Sequence, residues 1–118
     1  MTSRTLLVTA CLVFVIGGTA RAAEMSTATM VTSGSYLFWC NIVNVSTVAQ
    51  TVRIRIYDGN GGLADDSGNV VIAARSTLWR ASASGGHCRF TTVSAKALFR
   101  ASVNIYDNAN VIESIPAQ

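Results

Sequence analysis

Among the residue types able to do chemistry in this 118-residue chain, Cys40 and Cys88 stand first. They lie 48 positions apart. With Cys11 set aside inside an N-terminal leader, they form an even pair. In an exported chain such a pair is expected to oxidise to a disulfide. A tetrahedral zinc site needs four N or S ligands and redox exchange needs a Cys-x-x-Cys, and this sequence supplies neither. Closing a loop of this length restricts the unfolded chain by about 4 kcal/mol in the chain-entropy model, comparable to the net stability of a small domain. No metal and no cofactor is expected.

Acid-base chemistry has few residues to work with. His87 is the single histidine, and a nucleophilic hydrolase needs a base held against its nucleophile by a third group. No serine sits in a Gly-x-Ser-x-Gly elbow. His87 adjoins Cys88 on an expected strand, so the two side chains point to opposite faces and His87 reads as an ordinary exposed strand residue. The segment Asp58 to Asp66 is rich in oxygen donors, but the calcium-loop pattern wants a ligand where Gly62 stands and a glutamate where Asn69 stands. A solvated hairpin loop is the simpler reading. Asn44-Val45-Ser46 is a formal N-glycosylation sequon, relevant in a eukaryotic host.

Two surfaces have the composition to bind something. Leu37, Trp39 and Val43 make Tyr36 to Val45 apolar on the face opposite Cys40, either covered by the N-terminal segment or a loop, or exposed as an interface. Arg53, Arg55 and Tyr57, with Arg100 and Tyr106, combine guanidinium and aromatic groups on solvent faces of strands. Together they would suit a glycan or an acidic polymer, unless they simply solvate and protect a sheet.

The elements that must position these residues are strands. In Thr51 to Tyr57, Val52, Ile54 and Ile56 alternate with polar neighbours; in Phe99 to Tyr106, Phe99, Ala101, Val103 and Ile105 do the same. Both runs end in Tyr-Asp before Gly- or Asn-bearing turns. Tyr36 to Val45, Asn69 to Ala73, Thr77 to Ala81, His87 to Val93 and Val111 to Ile115 complete the set, with a first strand near Met30. Phe38 and Ile42 share the face of Cys40, and Phe90 that of Cys88. No segment carries a helical period, and Ser94 to Leu98 reads as a connection. Pro116 follows the last strand, where its missing N–H costs nothing. The expected fold is all-β, an antiparallel sandwich of six to seven strands with one inter-strand disulfide.

Residues 1–22 read as a secretory signal peptide: Arg4, an apolar run from Leu6 to Ile16, and the small-residue exit Ala20-Arg21-Ala22. The run is too short to span a membrane. Residues 23–35 form a Ser/Thr-rich segment and 36–118 the domain. Two of nine basic residues leave with the leader while six acids stay, so the mature charge is +1. That balance gives no support for a nucleic-acid partner. The expected location is secreted or periplasmic, with no transmembrane anchor in the mature chain.

The run Cys40-Asn41-Ile42-Val43-Asn44-Val45-Ser46, then Ile54-Arg55-Ile56-Tyr57-Asp58-Gly59-Asn60-Gly61, with Cys88-Arg89-Phe90 and Arg100-Ala101-Ser102-Val103, resembles small exported bacterial immunoglobulin-like β-sandwich proteins of unassigned function. The resemblance implies an exported Ig-like domain and transfers no active site. Ile54 stands where antibody-type domains carry a tryptophan, and Gly86 where they carry the corner tyrosine. The expected function is therefore a non-enzymatic envelope or extracellular module with a protein or glycan partner. The alternative is a small secreted enzyme or enzyme inhibitor built from loop carboxylates and His87.

Overall fold

The computed structural model describes residues 22–29, 37–83, 86–107 and 110–118. Nine strands run through them: β1 Ala23–Ser26, β2 Leu37–Asn44, β3 Gln50–Asp58, β4 Leu63–Asp66, β5 Val70–Ile72, β6 Thr77–Ser82, β7 Gly86–Thr92, β8 Phe99–Asp107 and β9 Asn110–Pro116. A single 3-10 turn, Lys96–Leu98, joins β7 to β8. All pairings are antiparallel. The first sheet runs β1-β7-β3-β4, with β5 on β3 beside β4, and the second runs β6-β2-β8-β9.

The seven strands expected from alternation are all present, and two more appear. The signal peptide and the strand expected near Met30 lie outside the described residues. β1 instead pairs with β7, Met25 opposite Phe90. β4 corrects the reading of Asp58 to Asp66 as one continuous loop: Asp65 and Asp66 pair with Ile56 and Arg55 of β3. Leu63-Ala64-Asp65-Asp66 has no apolar alternation, so only the neighbouring strand makes it a strand. Pro116 ends β9 on the outer edge of its sheet, where a strand tolerates a missing donor.

Alternation decides which side chains enter the core. Val52, Ile54 and Ile56 from β3, with Cys88 and Phe90 from β7, face Phe38, Cys40 and Ile42 from β2 and Phe99, Ala101, Val103 and Ile105 from β8, all buried. The Cys40–Cys88 disulfide joins β2 to β7 and so crosses from one sheet to the other through this core, with a Cα–Cα distance of 5.8 Å. Both cysteines are fully buried.

Each open side of the sandwich is fastened as well. Along one side, Ser26 and Gln118 exchange backbone hydrogen bonds of 3.0 and 3.2 Å, and Thr27 continues the line of β1 by bonding Cys88 through its own N–H and its Oγ1. Along the other, Asp65 of β4 meets Arg80 of β6. The crossing from β2 to β3 turns on Asn44, a fully buried amide. Its Nδ2 donates to the carbonyls of Val48 at 2.8 Å and Ala73 at 3.2 Å, and its Oδ1 accepts from Ser46 N and Oγ. The sequon asparagine is thus a structural hub in the folded domain, its amide nitrogen already engaged.

Gly86 marks the tightest backbone approach. It stands opposite Asp58, and a Cβ there would lie 1.7 Å from the carbonyl oxygen of Tyr57. Relief requires β3 and β7 to separate beside the disulfide. Gly86→Ala is therefore expected to cost about 4 kcal/mol or more, the range of severe steric substitutions, read as a shift in the urea unfolding midpoint; a loss under about 1 kcal/mol contradicts that packing.

Candidate functional site

The outer face of the second sheet carries an aromatic row. Trp39 on β2 and Trp79 on β6 are diagonal neighbours, since Trp79 pairs with Asn41 and Trp39 with Ala81. Their rings stack at 4.3 Å between centroids and 18° between planes. Tyr106 on β8 leans against the other side of Trp39 at 5.0 Å. Such pairs contribute about 0.5–1.5 kcal/mol beyond the area they bury, so the row holds its own geometry. Trp39, sandwiched between its neighbours, is half-buried, while Trp79 is 52% exposed. Beneath this cluster Trp39 Nε1 and Asn41 Nδ2 are buried without a hydrogen-bond partner among the described residues, an arrangement that costs on the order of 1–3 kcal/mol per donor.

Of the interface residues expected from sequence, Leu37 is exposed, Trp39 and Val43 are half-buried, and the large exposed surface belongs to Trp79. Trp79 carries no role in the sequence-based expectation, although it sits inside the expected strand Thr77 to Ala81. The available signal was its parity: in Thr77-Leu78-Trp79-Arg80-Ala81 it falls opposite Leu78, which packs on the core. A large aromatic on the polar side of a short strand marks an exposed aromatic site.

Trp79 also lines a groove of about 560 Å³ with Ala64, Asp65, Arg80, Ala81 and Ser82. The groove follows β6, the edge strand of the second sheet, and reaches across to β4 in the first. Arg80 pairs with Cys40, and Asp65 with Ile56, both core positions, so these two charged side chains share the inward faces of facing sheets. They meet at the open side in a bidentate pair, Nε to Oδ2 at 2.7 Å and Nη2 to Oδ1 at 2.9 Å. Periodicity does not reveal this contact, because a charged residue at a core parity only makes sense beside its partner. At the opposite side of the sandwich a second groove, about 420 Å³, has an apolar floor and Lys96 and Arg100 at its lining.

The five residues expected to form one ligand face are divided between two. β3 belongs to the first sheet and β8 to the second, so Arg53, Arg55 and Tyr57 lie on one outer surface and Arg100 and Tyr106 on the other. On the first sheet the cations are largely matched. Arg53 grips Asp66 through Nε at 2.8 Å and through Nη2, with Arg55 Nε 3.9 Å from the same carboxylate. Arg89 Nε lies 2.8 Å from Glu24, attracted by charge although its N–H is not aimed at the oxygen. The Arg89 guanidinium also sits 5.4 Å from the Tyr57 ring centre.

His87 stacks on Tyr57 at 5.2 Å on that same outer face. Asp58 spends its Oδ1 on the N–H groups of Asn60 and Gly62, both at 2.9 Å, and so shapes its own turn, where Gly61 takes a φ of 84°. Asp65 and Asp66, adjacent in sequence, point to opposite faces of β4 and serve different arginines. The loop carboxylates and His87 are thus not gathered into one site. Among the described residues no group of three His, Cys, Asp or Glu side chains stands ready to hold a metal ion, and no helix is long and apolar enough to cross a membrane.

No family model, curated protein or solved structure matches the chain.

The two arginine pairs set the acid response. The hydrogen bond from Arg80 holds the Asp65 carboxyl below the ordinary carboxylate range, and that from Arg53, aided by the Gly68 N–H, holds Asp66 lower still. Unfolded, both carboxyls return to about 3.9 and bind protons more readily than the folded pair does. Their contribution is therefore complete above about pH 5 and fades as the pH falls through 4 toward the folded values. Urea midpoints measured from pH 7 to pH 2 are expected to drop less steeply for Asp66→Asn than for the wild type; parallel curves contradict the assignment.

Proposed function

We propose that this protein is an exported, non-enzymatic binding module of the periplasm or extracellular space, and that its recognition surface is centred on Trp79 at the β6 edge. One observation carries the reading: a tryptophan left half in solvent, fixed by stacking on Trp39 and set over a groove. Rigid, exposed tryptophans are typical anchors of recognition sites, because they present large area at little cost in side-chain freedom. Export is supported by the disulfide, which persists in oxidising compartments, together with the leader read in residues 1–22. The scattering of Asp58, Asp65, Asp66 and His87 supports binding over catalysis, since acid-base work needs such groups within reach of one substrate.

The Ig-like reading of the sandwich rests on four of its strands. β2 beside β6 faces β3 beside β7, and the disulfide joins β2 to β7, which is the arrangement of the B, E, C and F strands and of the B–F disulfide in Ig domains. The flanks differ: β8 and β9 extend the sheet from β2, and β1 rather than a final strand lies beside β7.

Native mass spectrometry of the untagged protein from its own host's envelope or medium tests this reading. The expected species starts at Ala23, carries one disulfide, and retains a non-covalent companion that Trp79→Ala loses while unfolding within about 1 kcal/mol of wild type, as surface substitutions do. An unprocessed mass, or a companion retained by Trp79→Ala, overturns it.

A further inference from the structure

We infer that the groove between Trp79 and the Asp65–Arg80 pair is a site for a neutral saccharide. The inference rests on the proposed binding role of Trp79 and adds the chemical class of its ligand.

One face of the Trp79 indole is already occupied. Trp39 stacks on that face at 4.3 Å, and Trp79 remains 52% exposed and lines the groove at the β6 edge. A pyranose ring has a face of C–H bonds that stacks on an indole and a perimeter of hydroxyls that must keep hydrogen bonds when it leaves water. The groove supplies both. Asp65 and Arg80 lie along it beside Trp79. Their bidentate contact engages Nε and one hydrogen on Nη2, which leaves further guanidinium N–H donors and further carboxylate lone pairs. A hydroxyl donates and accepts, so vicinal hydroxyls can take a hydrogen bond from Arg80 while giving one to Asp65.

Charge narrows the class. Asp65 and Arg80 cancel one another, so an anionic or cationic ligand would have to compete with a bond already made. The outer surface beside Trp79 continues in neutral groups, Asn41, Thr77, Asn104 and Ser114, with Ser114 Oγ donating to Asn104 Oδ1 at 2.6 Å. Arg53, Arg55 and Arg89 belong to the other sheet, and Arg100, the arginine on this outer face, stands two strands from β6, opposite Val43. Amides, hydroxyls and aromatic rings without net charge are complementary to a neutral, polyhydroxylated chain. The groove volume, about 560 Å³, falls within the roughly 300–1,000 Å³ of small-ligand clefts and accommodates a short oligosaccharide rather than a single ring.

The chain offers its own probe. Its two tryptophans are Trp39 and Trp79, so tryptophan emission, excited beyond the tyrosine band, reports this cluster alone. The test titrates the mature, oxidised protein with neutral hexasaccharides of β-1,4-glucose, β-1,4-N-acetylglucosamine and α-1,4-glucose up to about 10 mM, the range of weak binding. At least one is expected to give a saturable change that weakens tenfold or more in Asp65→Asn and in Arg80→Lys. Calorimetry with the same sugar should lose the signal in Trp79→Ala and retain an intermediate affinity in Trp79→Phe, which guards against a variant that merely misfolds. No saturable response to any of the three, or one indifferent to Trp79→Ala, overturns the saccharide assignment. If instead an extended Thr-Val repeat peptide binds and Trp79→Ala abolishes it, the Trp79 surface stands and the ligand class falls. A host companion retained by Trp79→Ala removes the binding reading itself.

Discussion

The structure depends on one constraint: two thin sheets held face to face by a covalent bond through their common core. A chain of this length buries roughly two-thirds of its unfolded surface, which leaves little excess of apolar burial over the entropy of ordering it. The Cys40–Cys88 disulfide acts on the unfolded side of that balance by closing a loop that spans β2 to β7. Its position matters as much as its energy. It ties a central strand of one sheet to a central strand of the other, and the remaining contacts between sheets then have a fixed spacing to work with. The Asp65–Arg80 pair on one open side and the Ser26–Gln118 backbone exchange on the other close the sandwich at that spacing.

With the sheets fixed from within, the outer surfaces are released from structural duty, and the two differ in chemistry. The first sheet carries an ionic mosaic of Arg53, Arg55 and Arg89 against Asp66 and Glu24, a lattice of partly exposed pairs with modest individual effect. The second carries the stacked row of Trp79, Trp39 and Tyr106. The row stabilises itself sideways, ring on ring, leaving Trp79 presented to solvent. The groove arises where that row meets the edge clasp: the ion pair that fastens the sheets also lines the space beside the indole. One contact thereby couples the architecture to the proposed site.

Much of the fold was legible in the sequence because period-two alternation is a local signal. Val52, Ile54 and Ile56, or Phe99, Ala101, Val103 and Ile105, declare an inward face by their own spacing, and the cysteines fall on those faces. β4 was not legible, since Leu63-Ala64-Asp65-Asp66 becomes a strand only through β3. Nor was the division of the arginines: parity places Arg53, Arg55 and Arg100 outward, but nothing local says that β3 and β8 belong to different sheets. The site sits where non-local information dominates. Trp39 was visible as an aromatic on the wrong side of an apolar strand, whereas the prominence of Trp79 follows from β6 being an edge strand, and the Asp65–Arg80 clasp from two edges meeting across the core.

Urea unfolding of the oxidised protein beside a Cys40→Ala, Cys88→Ala double variant, followed by circular dichroism at one pH, tests the dependence on the inter-sheet bond most directly. The predicted result is a loss of about 4 kcal/mol, or a variant that does not fold at all. A variant that folds with stability within about 1 kcal/mol of the oxidised protein would contradict it, and would mean that the buried side chains alone set the spacing of the sheets.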